Sequence, residues 1–213
     1  KFAIRSGPFF AASDFIEATI SGKGGHAAKS QETIDPTVIA SQIVVALQTI
    51  ASRRADPVEQ VVVSITSFET SSTAFNVIPQ EVKIKGTVRT LDPDVRDLAE
   101  KEFLRITELT AEAMGGSADA KFTRGYPVMS NSSEQTEFAA KVARDVAGEC
   151  AEAPLVMGGE DFAYMLEERP GAYILLGNGD SSPVHHPKYN FNDDAIPFGC
   201  SWLVELVEQK MPV

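Results

Sequence analysis

At 213 residues, with 43% hydrophobic and 23% charged residues, the chain has the composition of an ordinary globular protein with room for one core or two smaller ones. Its net charge of −11, spread without any block of like charge, argues against nucleic acid or a membrane surface as a partner. Two isolated cysteines, Cys150 and Cys200, form no pairing pattern and are typical of a reducing compartment, so we expect a cytoplasmic protein.

The first 126 residues alternate strand and helix signals. Each predicted helix begins with an Asp-Pro pair, because Asp accepts hydrogen bonds at the N-cap and Pro fits the first turn. The order is β-α-β-β-α-β, which is typical of a ferredoxin-like domain with both helices on one face of a four-stranded antiparallel sheet. The predicted elements are strands at 15–20, 61–65, 81–91 and 120–124, and helices from Asp35-Pro36 to about Arg53 and from Asp92-Pro93 to Gly115.

The remaining elements are fewer and of a different kind. They are a helix at 132–146, a short buried strand at 173–176 and a terminal helix at about 195–209. These pieces are too few to make a complete domain, so we interpret them as the end of an α/β unit.

Two of the three histidines, His185 and His186, are adjacent in a loop. A pair of this kind beside a proline is often surface decoration. However, neutral imidazole is the commonest metal ligand, and ligands gather on loops at strand ends in α/β proteins. The pair is therefore a candidate for metal binding, and the surface alternative stays open.

Two glycines precede two carboxylates in residues 157–162. The acidic pair would suit the positive end of a helix dipole, so this segment can simply be a capped helix start. The functional alternative is that Gly159 lets backbone amides approach a substrate, with Glu160 pointing into the same cleft.

His26 is held in a loop by flanking glycines and alanines, between a predicted strand and a predicted helix. It has no neighbouring metal ligands. A hydrogen-bond donor to a developing oxyanion needs none, so His26 is a candidate for that role.

Asn76 lies in a turn that leads into the strand at 81–91, and Arg89 falls on the polar face of that strand. A solvated sheet face with a turn asparagine would explain both residues. The functional alternative is carboxylate recognition, since a guanidinium binds a carboxylate with two hydrogen bonds.

Seven segments in one order along the chain together resemble a metallopeptidase family. It contains hippurate hydrolase, bacterial N-acyl-amino-acid amidohydrolases, plant auxin-conjugate hydrolases and, more distantly, carboxypeptidase G and aminoacylase, and the hippurate hydrolase-like branch is the most similar. The segments are 22–28, 34–36, 47–50, 75–79, 86–90, 157–164 and 185–187.

The resemblance implies an α/β fold with an α+β insert. Residues 14–126 would be a ferredoxin-like dimerisation (lid) domain, through which two subunits pair. Residues 1–13 and 127–213 would be the C-terminal part of a zinc-peptidase-like catalytic domain, which in this family carries two divalent metal ions per subunit (Zn, Mn, Co or Ni).

The resemblance also assigns roles to single residues. His185 would be a metal ligand, and His26 would stabilise the oxyanion in the active site of the partner subunit. Four residues would bind the substrate, with the first two reaching its carboxylate across the dimer: Asn76, Arg89, Gly159 and Glu160.

The family's other metal ligands and its general base have no counterpart in this sequence. We therefore expect the chain to represent the C-terminal half of a metal-dependent amidohydrolase that cleaves N-acyl or N-aroyl amino acids. On its own we expect it to bind metal weakly and to be inactive. The alternative is a non-catalytic dimerisation or binding module.

Overall fold

The computed structural model describes residues 1–211, so the predicted range 127–213 ends outside the described residues. Its strands are β1 (Phe2–Ile4), β2 (Gly7–Phe10), β3 (Ala12–Ser21), β4 (Gly25–His26), β5 (Val61–Thr70), β6 (Val77–Ile78), β7 (Glu81–Thr90), β8 (Ser117–Tyr126), β9 (Met129–Asn131), β10 (Cys150–Glu152) and β11 (Leu175–Leu176). Its helices are α1 (Pro36–Leu47), α2 (Pro93–Ala113), α3 (Ser133–Ala147), α4 (Ala163–Glu168) and α5 (Ile196–Lys210).

The chain forms two compact units. The central unit consists of Phe10–Val128 and Met157–Glu160. The flanking unit consists of Lys1–Phe9, Met129–Val156 and the described residues from Asp161 onward. No helix among residues 1–211 is long and apolar enough to cross a bilayer.

The central unit contains a four-stranded antiparallel sheet in the order β5-β7-β3-β8. Alternate residues of the strands point to one face, where both α1 and α2 cover them, so the predicted β-α-β-β-α-β order is confirmed. The buried side chains between sheet and helices include Ile16, Ile20, Ile39, Ile43, Leu47, Val82, Ile84, Val88, Ala99 and Phe103.

Both long helices of the central unit begin as the sequence predicts. The Asp35 carboxylate accepts a hydrogen bond from the Thr37 amide at 2.8 Å, and the Asp92 carboxylate accepts one from the Asp94 amide at 2.8 Å. The first helix differs at its C-terminal end, where the α-helix stops at Leu47 and a π-helical turn occupies Ile50–Arg54.

A buried ion pair joins three elements of the central unit. Asp14 on β3 is fully buried, and Arg96 on α2 donates to its two carboxylate oxygens at 3.0 and 2.6 Å. The Gly125 amide on β8 donates to the same carboxylate at 3.1 Å, and Arg96 donates back to the Gly125 carbonyl oxygen at 3.1 Å. This bonding compensates the cost of burying the charges, which would otherwise be several kcal/mol per ion.

The flanking unit contains a three-stranded sheet in the order β10-β1-β11, with β1 parallel to β10 and antiparallel to β11. The helices predicted at 132–146 and 195–209 are confirmed as α3 and α5. They are joined by a hydrogen bond of 3.1 Å from Trp202 Nε1 to the Ala139 carbonyl oxygen. The strand predicted at 173–176 is shorter, because only Leu175 and Leu176 pair with β1.

Candidate functional site

The structure brings His26 and Asn76 together at one end of the central sheet. Strands β4 and β6 pair antiparallel with His26 opposite Val77, and a backbone hydrogen bond of 3.0 Å links the residue after His26 to the Asn76 carbonyl oxygen. We call residues 22–28 and 75–80 together the histidine tip.

The glycines of the histidine tip are required by close packing. A Cβ atom on Gly22 would lie 2.2 Å from the Ile34 carbonyl oxygen, and one on Gly24 would lie 2.9 Å from that of Ile78. The Gln80 side chain bridges the two glycines: its Nε2 donates to the Gly22 carbonyl oxygen at 2.6 Å, and its Oε1 accepts from the Gly24 amide at 3.1 Å. Sequence reasoning missed Gln80, because nothing local distinguishes it from a surface glutamine.

The hydrogen bonding of His26 fixes which ring nitrogen can donate. Its Nδ1 accepts from the Ala28 amide at 3.1 Å, so the neutral imidazole carries its proton on Nε2. The side chain is exposed. His26 therefore presents an N–H donor away from the tip, which is what stabilisation of an oxyanion requires.

Asn76 is also exposed on the tip. Its backbone carbonyl is used in the ladder with the His26 segment, whereas within residues 1–211 no hydrogen bond of its side-chain amide is found. The amide can therefore both donate to and accept from a ligand held beside His26.

Arg89 lies far from the tip within one chain. It pairs with Ser13 at the end of β7 that is remote from Glu81, and eight residues of extended strand span about 26 Å. Its half-buried guanidinium donates to the Thr87 hydroxyl and, at 3.1 Å, to the Val88 carbonyl oxygen. The structure thus does not bring Arg89 together with Asn76 or His26 in one copy.

Gly159 packs on the sheet at the same end as Arg89. A Cβ atom on Gly159 would lie 2.7 Å from Ser13 Cβ and 3.1 Å from a ring carbon of Tyr126. Ser13 is the cross-strand partner of both Arg89 and Tyr126, so the three side chains share the face on which Gly159 lies. Packing alone therefore requires this glycine, and the half-buried Glu160 follows it directly.

His185 stands in an exposed loop of the flanking unit with an unusual backbone. Its φ of 66° lies in the left-handed region, which is uncommon for residues other than glycine and is often found at functional sites. The neighbouring His186 uses its Nδ1 to accept from the Lys188 amide at 3.1 Å. No hydrogen bond of the His185 ring is found in the part of the chain that the structure describes, so His185 is the better candidate ligand of the pair.

Side chains that could bind a metal ion do not cluster in the part of the chain that the structure describes. Within residues 1–211 no group of three or more His, Cys, Asp or Glu side chains is placed to hold an ion. A catalytic zinc usually takes three protein ligands and a water molecule. The described residues by themselves therefore do not fit a dinuclear centre.

Comparison with known proteins gives a consistent assignment. The model of peptidase family M20/M25/M40 matches residues 12–209. The N-acetyl-L-cysteine deacetylase of Bacillus subtilis is 36% identical over 208 residues, which cover 98% of this chain and 50% of that protein. The hippurate hydrolase of Campylobacter jejuni is 35% identical over 212 residues, covering 97% and 54%. An IAA-amino acid hydrolase (ILR1-like 2) of Arabidopsis thaliana is 39% identical over 224 residues, covering 99% and 50%.

Solved structures agree with this assignment. The YXEP protein of Bacillus subtilis, described as a dinuclear metal binding peptidase from the M20 family, superposes with a TM-score of 0.82. It is 28% identical, and the match covers 99% of this chain and 53% of that one. The chain spans about half the length of the curated relatives it matches. A family model that covers nearly all of the sequence, together with relatives above 30% identity, shows that the chain belongs to peptidase family M20/M25/M40.

Proposed function

We propose that this chain supplies the lid and part of the cleft of a metal-dependent amidohydrolase that cleaves N-acyl or N-aroyl amino acids. The observation that carries the proposal is the hydrogen bonding of His26: its exposed side chain accepts at Nδ1 on a tightly packed tip, which leaves Nε2–H as a donor. The names of the relatives support the substrate class, since N-acetylcysteine, hippurate and auxin conjugates of amino acids all contain an amide bond to an amino acid.

The role we propose for His26 is electrostatic. When the amide carbonyl is attacked, negative charge develops on its oxygen, and a preorganised N–H donor stabilises that charge more than it stabilises the ground state. Hydrolysis by the family is metal-dependent, and we propose two divalent ions per subunit in the intact enzyme. The described residues do not make such a centre, so the proposed contribution of this chain is to bind the substrate and to stabilise the charge on its carbonyl oxygen.

We propose that Asn76, Arg89, Gly159 and Glu160 bind the substrate. The separation of about 26 Å along β7 means that Asn76 and Arg89 of one copy cannot hold the same carboxylate. A pair of copies resolves this conflict if the histidine tip of one copy enters the cleft of the other, next to that copy's Arg89.

We propose that two copies pair through residues 14–126, at the β5 edge of the sheet. Strand β5 is an edge strand without Lys or Arg, and it exposes Val62 and Phe68. The other edge strand, β8, carries Lys121 and Arg124, and charged side chains of this kind block strand addition. The helix α1, which contacts β5, also exposes the apolar side chain of Val38.

The function is tested with a chimera in which this chain replaces the matching half of the Bacillus subtilis N-acetyl-L-cysteine deacetylase. We expect hydrolysis of N-acetylcysteine or N-benzoylglycine, and a fall in kcat of about 100-fold to 1,000-fold in the His26→Ala variant with unchanged metal content. Lys29→Ala is the matched control, because Lys29 is exposed three residues after His26 and forms an exposed ion pair with Glu32.

Two results would contradict the proposal. If His26→Ala removes metal from the chimera, His26 is a ligand and not an oxyanion donor. If a chimera that is folded and metal-loaded hydrolyses no N-acyl amino acid, the alternative of a non-catalytic dimerisation or binding module is favoured. That alternative is also compatible with the absence of a ligand cluster within residues 1–211.

A further inference from the structure

We infer that Phe75 is a specificity-determining residue that contacts the acyl group of the substrate and favours aromatic acyl groups, an inference that rests on the proposed function. Phe75 directly precedes Asn76 on the histidine tip, and its side chain is 108% exposed. Single exposed apolar residues are common on protein surfaces, so the inference rests on where Phe75 lies in the tip and not on its exposure alone.

The backbone that presents Phe75 is well anchored. The Val77 amide donates to the Ala74 carbonyl oxygen at 3.4 Å, closing a turn around Phe75, and the Ala74 amide donates to the Ser72 hydroxyl at 3.3 Å. The ladder between β4 and β6 then ties the turn to the His26 segment. The backbone that carries Phe75 is therefore fixed next to the two proposed site residues.

The surface next to His26 is apolar. His26 and Val77 are directly opposite in an antiparallel pair, so their side chains lie on the same face with Cβ atoms about 5 Å apart. Val77 is itself 43% exposed. A ligand that touches the His26 imidazole therefore meets Val77, and the exposed Phe75 belongs to the turn that leads directly into Val77.

This arrangement would bind the amino-acid part and the acyl group of an N-acyl amino acid at different places on the tip. Its carbonyl oxygen accepts from His26 Nε2, and its carboxylate accepts from an amide such as that of Asn76. The acyl group has no charge and is left for the apolar part of the tip. An aromatic acyl group gains an edge-to-face or offset contact with Phe75 that an acetyl group cannot make.

The test measures binding of N-benzoylglycine and N-acetylglycine to the purified 213-residue chain by ligand-observed saturation-transfer NMR titration. We expect Phe75→Ala to weaken the binding of N-benzoylglycine about tenfold and to change the binding of N-acetylglycine by no more than about twofold. Phe75→Trp should keep the preference for the aromatic ligand, because it also presents an aromatic ring. Phe15→Ala is the control, because Phe15 is also exposed (57%) but lies on β3, outside the tip. Since the Phe75 side chain is fully exposed, its replacement does not compromise folding.

The outcomes separate this inference from the proposed function. If His26→Ala and Asn76→Ala abolish binding of both ligands while Phe75→Ala changes neither, the substrate class stands and the role of Phe75 is wrong. The inference is also overturned if Phe75→Ala weakens the binding of both ligands equally, or if the unmodified chain binds N-benzoylglycine no more tightly than N-acetylglycine. If the unmodified chain binds neither ligand, the inference about Phe75 is overturned, whereas the substrate class is decided separately by hydrolysis in the chimera.

Discussion

The two long helices α2 and α5 show how differently the two units are stabilised. In the central unit α2 buries an apolar stripe against the sheet, including Ala99, Phe103 and Ile106. In the flanking unit no residue of α5 is buried, and Leu203 and Val207 are more than half exposed. The sequence pattern predicts both helices equally well, but burial depends on which neighbours are present. The central unit therefore has a core of its own, whereas α5 leaves several of its apolar side chains exposed to water.

The largest expected difference in stability is between substitutions that shorten an apolar side chain on each of these two helices. Phe103→Ala should destabilise the central unit by about 3–5 kcal/mol, because it opens a cavity in a closed core. The matched truncation Leu203→Ala should change stability by no more than about 0.5 kcal/mol, since the side chain is 59% exposed.

Hydrogen exchange of β3 and β7 amides reports the central unit, and fluorescence of the sole tryptophan, Trp202, reports the flanking unit during urea unfolding. Equal losses in the two variants would show that the two helices do not differ in the way described.

The second largest loss of stability is expected when the buried ion pair between Asp14 and Arg96 is broken. Asp14→Asn keeps the shape but leaves the Arg96 charge without its carboxylate, which should cost the central unit about 3 kcal/mol. The control is Arg124→Ala, which removes a partly exposed guanidinium paired with Asp97 and Glu100 and should cost about 1 kcal/mol or less. A loss of similar size in both variants, measured by urea unfolding, would contradict the special role of the buried pair.

A smaller effect is expected at the segment that packs on the sheet. Gly159→Ala places a methyl group 2.7 Å from Ser13 Cβ, and the overpacking should cost about 1–3 kcal/mol. The control is Glu160→Ala, which changes the next residue without adding atoms. Hydrogen exchange of β3 amides checks the result, and unchanged exchange in Gly159→Ala would show that the segment moves aside freely.

The smallest effect concerns thiol reactivity within the flanking unit. Burial raises the pKa of the Cys150 thiol above its ordinary value, although the nearby Arg144 charge opposes this shift. Less thiolate is then present at mildly alkaline pH, so Cys150 should react with iodoacetamide more slowly than the exposed Cys200 on α5. The Cys150 rate should keep rising at pH values above the ordinary pKa of a cysteine thiol. Equal rates, followed by peptide mass spectrometry, would contradict the difference in exposure.

Sequence reasoning worked where the signal is local. The Asp-Pro pairs placed the starts of α1 and α2, and alternation of apolar and polar residues placed β7. It missed features that depend on distant partners. The two-residue strands β4 and β6 exist only because they pair with each other, and the burial of Asp14 depends on Arg96.

The candidate site was predicted in the same uneven way. His26 was recognised from its glycine-rich loop, but its ring tautomer depends on a hydrogen bond that only the folded turn provides. The distance between Arg89 and Asn76 could not be read from motifs, since it follows from the length of one extended strand. The left-handed backbone of His185 has no signature in the sequence.

The pairing of β4 with β6 has a consequence for the order in which the protein folds. It joins segments roughly 50 positions apart, and closing a loop of that size costs entropy that local contacts do not repay. The tip should therefore assemble late, after β3 and β7 have docked and brought the two segments close. A nascent or misfolded chain would then lack the aligned imidazole and asparagine, so binding competence would arise only once folding of the sheet is complete.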